Sequence, residues 1–181
     1  KNTLELYNHA LKRIKNIFDQ QHITMAGWED FLLAHSEKSQ EETQIKEEQF
    51  DKEVIPYVWN NIWGEGREDM IYKFANSGFK TVMSNSAAFY FDMTDDRDFE
   101  NYGLNWSGYV NYKDSWATDP EDVFNNAYLN KKNNISQTYI SKKTKLNPKN
   151  SDNFLGIQSQ LWTETVSNEM IFDALLFPNL I

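Results

Sequence analysis

Apolar positions along the chain follow two rhythms. Over residues 4–19, Leu4, Tyr7, Leu11, Ile14 and Phe18 recur every three or four positions with charged residues between them, the stripe of an amphipathic helix. Beyond it come four short apolar runs: ITMAGWE (23–29), VIPYVWN (54–60), KTVMSNSAAFYFDM (80–93) and FLGIQSQLW (154–162). Runs of this kind, bounded by polar stretches, read as buried strands. Between the second and third, REDMIYKFANSGF (67–79) has helical spacing and leaves its helix at Asn76 to Gly78, while EMIFDALLFPNL (169–180) reads as a closing helix. Strand and helix alternate about four times, which predicts an α/β sheet of parallel strands joined by crossovers. Two polar stretches interrupt the pattern. The charge-dense 36–53 is expected as a solvated helix or long loop, and the Asn- and Lys-rich 125–153 as an exposed insertion.

Every strand run ends in an aromatic or an acid: Trp28 with Glu29, Trp59, Tyr90 with Asp92, and Trp162 with Glu164. In parallel α/β architectures ligand sites form at that end of the strands. Any one of these tryptophans is as simply a core residue, since large aromatics are mostly buried. Core packing does not explain the carboxylates that accompany them, because burying a carboxylate without a partner is costly. Aromatic faces beside carboxylates suit a pyranose, whose ring stacks on aromatics and whose hydroxyls need acceptors.

Composition narrows the partners. The 181 residues fit one domain, 1–181, with 40% hydrophobic and 15% aromatic content. A net charge of -9 without a clustered basic patch argues against nucleic acid. No apolar run approaches the roughly 20 residues that span a bilayer, so no membrane partner is expected. KNTLELYNHA shows no signal-peptide core. Cysteine is absent, and His9, His22 and His35 lack metal-site spacing, so no metal is expected. WGEG (63–66) has neither phosphate-loop spacing, and no cofactor is implied. Sequons stand at Asn105 and Asn134.

The ordered series AGWED (26–30), VW (58–59), SNSAAFYFDM (84–93), GLNWSGYV (103–110), DP (119–120), LGIQSQLWTET (155–165) and FPNL (177–180) resembles the second half of the family 20 glycoside hydrolases, the β-N-acetylhexosaminidases. The resemblance implies a (β/α)8 TIM barrel of which this chain forms roughly half, strands 5–8. It also implies substrate-assisted retaining hydrolysis, in which the 2-acetamido oxygen of the sugar is the nucleophile. Tyr90 would hydrogen-bond that oxygen as the catalytic contribution of this chain. Trp28, Trp59 and Trp162 would wall the sugar, Asp92 and Glu164 would hold its terminal hydroxyls, and Trp106 would stack in the leaving-group subsite.

In that family the acid is half of an Asp-Glu pair on the fourth strand, upstream of anything matched here. The only adjacent acidic pair at the end of a strand run, Glu29-Asp30, falls on the fifth. The expectations are therefore an N-acetylhexosamine-terminated glycan as ligand, the remaining half of the barrel as partner, an inactive isolated chain, and self-association through open sheet edges. Localisation follows the family alone: secreted, periplasmic or lysosomal. A non-catalytic carbohydrate-binding module is the alternative, and a doubly wound four-strand domain a weaker one.

Overall fold

The computed structural model describes residues 3–34, 44–46, 50–98, 100–129, 135–177 and 179–180. Each apolar run contributes one strand: β1 (Ala26–Trp28), β2 (Ile55–Val58), β3 (Thr81–Met83) and β4 (Phe154–Ile157). All three pairings are parallel and the spatial order is β1-β2-β3-β4. Strands that follow one another around the sheet without reversal wind as a barrel wall does, whereas a doubly wound sheet reverses at a switch point.

The helix α1 (Thr3–Gln20) ends where its spacing predicts, in a reverse turn at His22. Ile23 N donates to Phe18 O and His22 N to Asp19 O, with His22 at φ 55, so this histidine closes a helix. Only part of the apolar stripe is covered. Leu11 is buried and Phe18 packs on the core, while Tyr7 and Ile14 remain exposed. The helix α2 (Met70–Asn76) lies between β2 and β3 and exits through Gly78 at φ +90. Its Met70, Ile71, Tyr72 and Phe74 meet Val58, Phe79 and Met83 in the main core.

The structure departs from the sequence reading in its connections and in the third run. KTVMSNSAAFYFDM is not one strand: β3 stops at Met83, and Ser86–Phe89 turns as a short helix α3. Asn85 O accepts from Ala88 N and Phe89 N, a turn that small Ser and Ala residues allow. The chain then resumes beside the continuation of β4, with Tyr90 bridged in parallel to Gln160. Between β1 and β2 the described residues form a 3₁₀ turn, Glu29–Leu32, and an antiparallel bridge of Leu33 with Ile45. Most of 36–53 lies outside the described residues, as do His35 and Asn134. Phe50 is buried edge-on against Phe31.

The link from β3 to β4 carries α4 (Tyr112–Ala117), α5 (Gln137–Ile140) and two 3₁₀ segments. The stretch 125–153, read from sequence as exposed, is tied down where it is described. Ala127 and Ile140 are buried. Tyr139 OH donates to both oxygens of Glu68, and Lys143 Nζ pairs with the same buried carboxylate at 2.8 Å. The chain closes with α6 (Glu169–Leu176), capped by Asn168.

Candidate functional site

The strand ends converge. Trp28 closes β1, Trp59 follows β2, and the bridge of Tyr90 with Gln160 carries Tyr90 and Asp92 alongside Trp162. An open pocket of about 440 Å³ is lined by Trp28, Asp30, Trp59, Tyr90, Asp92, Leu104, Trp106, Trp162 and Glu164. All seven residues singled out from the sequence meet there, joined by Asp30 and Leu104. The volume lies within the range of small-molecule sites. A second cavity, of about 40 Å³ beside Asn85 and Ser107, has room for water and not for a sugar.

The aromatic lining is continuous. Ring centroids lie 6.0 Å apart for Trp28 and Trp162, 5.9 Å for Trp162 and Tyr90, 5.9 Å for Tyr90 and Trp106, and 6.1 Å for Trp106 and Trp59. Most meet at steep angles, the edge-to-face arrangement that aromatic quadrupoles favour. The rings therefore brace one another. Trp106 and Trp162 keep more than a third of their surface exposed, 38% and 39%, as a wall rather than a core would.

Asp92 is almost wholly buried. Its Oδ1 accepts from Trp162 N at 3.2 Å, while Oδ2 has no hydrogen-bond partner among the described residues. Burial raises its carboxyl pKa above the usual range; the Trp162 N–H opposes this and Glu164 adds to it. Burial also pushes the Tyr90 hydroxyl well above the ordinary phenol value, against a hydrogen bond with the Trp162 side chain. Tyr90 thus keeps its proton and can act as a donor. A buried carboxylate with a free acceptor beside a buried phenol donor, inside an aromatic wall, can orient a polyhydroxyl ligand that also carries an amide.

Glu29 and Asp30 play different parts. Glu29 is fully buried: its Oε2 accepts from Trp59 N at 2.7 Å, and its Oε1 from Asn60 N at 3.2 Å and Arg67 Nη2 at 3.1 Å. Desolvation pushes its pKa up to about 7, against the pull of Arg67 and the two backbone donors. It does not line the pocket. Asp30 does, with Oδ2 accepting from Trp59 Nε1 at 2.7 Å. The sequence places the pair at the fifth strand of the family pattern without separating the parts its two members play, and it does not single out Arg67 or Leu104. Leu104 was within reach, inside the motif GLNW. Arg67, distant in sequence from Glu29, sent no local signal.

The family model described as "Glycosyl hydrolase family 20, catalytic domain" matches residues 1–181. The chain belongs to that family. A "Beta-hexosaminidase" of Vibrio vulnificus is 26% identical over 185 aligned positions, covering 100% of this chain and 20% of that protein. A "Beta-hexosaminidase B" of Pseudoalteromonas piscicida is 22% identical and covers 96% of the chain. The chain thus spans about a fifth of the length of the curated relatives it matches. Among solved structures, an exo β-N-acetylglucosaminidase from Vibrio harveyi in complex with N-acetylglucosamine overlays with a TM-score of 0.67 at 22% identity, over 99% of this chain and 22% of that one. A Streptomyces plicatus N-acetyl-β-hexosaminidase overlays at 0.64, with 96% and 28% covered. Such overlays establish the fold: the parallel sheet of this family 20 chain is part of a TIM barrel.

Proposed function

We propose that this chain supplies the sugar-holding part of an exo-acting β-N-acetylhexosaminidase that removes terminal N-acetylhexosamine from glycans. The observation that supports it is the meeting of Trp28, Trp59, Tyr90, Asp92, Trp106, Trp162 and Glu164, drawn from four separate apolar runs and a loop, in one open pocket. In this reading the acetamido carbonyl oxygen attacks the anomeric carbon as the bond to the leaving oxygen breaks. An oxazolinium ion forms, and the leaving oxygen takes a proton from an acid. Water then opens the ring with retention. Tyr90 donates to the acetamido oxygen and fixes its line of attack. Trp28, Trp59 and Trp162 enclose the sugar and its acetamido methyl, Asp92 and Glu164 accept from the terminal hydroxyls, and Trp106 carries the leaving group.

The acid belongs to the part of the barrel outside this chain, carried there by an Asp-Glu pair. Support comes from the state of the carboxylates here. Glu29 is sealed against backbone and Arg67, and Asp30 is bonded to Trp59 Nε1. That same observation favours, as a second reading, a carbohydrate-binding module without catalysis.

Titration with N-acetylglucosamine, followed by tryptophan fluorescence, tests the pocket. Release of aryl alcohol from an aryl N-acetyl-β-glucosaminide, measured in the same sample, tests the acid. A saturable signal stronger than that for glucose, with no release, is expected. No binding overturns the pocket, and release by the chain alone overturns the placement of the acid. The binding-module reading requires that a longer protein carrying this chain bind equally and still release nothing.

A further inference from the structure

We propose that Arg67 is a positioning residue for the pocket, acting through Glu29 and Asp30 to set the height and pitch of the Trp59 indole. The proposal rests on the sugar-pocket reading above. Trp59 is held at both of its ends. Its backbone N donates to Glu29 Oε2 at 2.7 Å, the N–H of Asn60 donates to Glu29 Oε1 at 3.2 Å, and its indole Nε1 donates to Asp30 Oδ2 at 2.7 Å. The two carboxylates are neighbours in the 3₁₀ turn after β1, and they reach across to the end of β2. Glu29 fixes where the residue sits; Asp30 fixes how the ring is rotated.

Two adjacent carboxylates repel, and one of them is fully buried, so they keep this arrangement only with a shared cation. Arg67 supplies it. Its Nη2 lies 3.1 Å from Glu29 Oε1 and 3.5 Å from Asp30 Oδ1. Both contacts are made by the one nitrogen, Nη2, so a single positive group is shared between the two carboxylates. An indole serving only as core filler needs one partner for its N–H. Here that one partner is the carboxylate of Asp30, while another part of the ring lines the pocket. Its orientation passes onward, because Trp59 braces Trp106 edge-on and Trp106 braces Tyr90.

The test follows the six tryptophan indole N–H signals of the ¹⁵N-labelled chain by NMR. Loss of one signal in Trp59→Phe identifies that of Trp59. Two perturbations are compared. Asp30→Leu removes the indole acceptor at a partly exposed position. The double variant Glu29→Gln with Arg67→Met removes the buried pair without leaving either charge alone. In both, the Trp59 signal is expected to shift or broaden, and N-acetylglucosamine to bind roughly tenfold more weakly, the scale of one well-placed aromatic contact. Asp30→Asn, which keeps a carbonyl acceptor, should restore most of the affinity and the signal.

A Trp59 signal that ignores the double variant overturns the proposal, as does a moved signal with unchanged affinity. If the unaltered chain binds no N-acetylglucosamine, the sugar-pocket reading fails and the functional role of Arg67 fails with it. The signal of Trp59 still reports separately on whether Arg67 orients the ring. If Asp30→Asn behaves as Asp30→Leu does, the indole hydrogen bond is not the route, and the proposal is again overturned.

Discussion

Replacing Gly103 by alanine should cost the chain about as much as any single methyl can. Gly103 sits at φ +107, and a Cβ built there would lie 2.7 Å from Asp92 O, 2.8 Å from Thr94 N and 2.9 Å from Met93 C. All three are backbone atoms, and two of them belong to a short ladder in which Leu104 N donates to Asp92 O at 2.7 Å and Thr94 N to Leu104 O at 2.6 Å. The neighbour cannot rotate out of the way as a side chain could. The positive φ alone costs about 1–2 kcal/mol for an L-residue. Relieving the clash means parting the ladder, which gives up two hydrogen bonds at about 1 kcal/mol each. A loss of about 3–4 kcal/mol is expected, a large share of the roughly 5–15 kcal/mol that holds a domain of this kind. Because Asp92 and Leu104 both line the pocket, N-acetylglucosamine affinity should fall with it. Urea unfolding followed by tryptophan fluorescence measures the first effect, and ligand titration the second. Gly78→Ala is the control: φ there is +90 and nothing lies within 4 Å of the added methyl, so only the backbone penalty remains. If the two substitutions cost the same, the steric reasoning is wrong.

Two further outcomes follow from the buried carboxyls and the open sheet. Glu29 is raised from 4.5 to about 7 and Asp92 is raised as well, both chiefly by burial. The folded state therefore holds these protons more tightly than the unfolded one. Their stabilisation is complete below the unfolded value and is lost as pH rises through the folded one, on the order of 3 kcal/mol for Glu29. Urea midpoints should fall between pH 5 and pH 8, and Glu29→Gln should flatten that fall; an unchanged slope would reject the assignment. The chain should also self-associate, since β1 and β4 are the sheet edges among the described residues and Leu155 and Ile157 of β4 remain 51% and 45% exposed. Light scattering should show mass rising with concentration and less so in Leu155→Lys, and a constant monomer mass would count against it.

Much of the fold was legible because its signals are local. The spacing of Leu4, Tyr7, Leu11, Ile14 and Phe18 and the exit at Gly78 are properties of neighbouring residues, and α1 and α2 appear where they indicate. The third run misled for an equally physical reason. Its apolar residues flank only a short polar break, Ser84 to Ser86, and the Ser86–Phe89 turn depends on Ser86 N reaching Trp59 O, a contact that lies in another segment. The polar look of 125–153 hid its anchorage, because Glu68, which ties down Tyr139 and Lys143, stands far away in the sequence.

Sequence by itself determined that this is a parallel α/β chain whose strand ends carry tryptophans, a tyrosine and carboxylates, for hydrophobic period and turn chemistry act over a few residues. Family membership followed from the order of those motifs. Only the tertiary structure decided that the seven residues share one pocket, that Asp30 joins them and Glu29 does not, and that Arg67 stands behind both acids. It also decided why position 103 must be glycine. Each of these depends on groups from separate segments coming within a few ångströms, where charge and excluded volume act, and one-dimensional spacing carries no record of that distance.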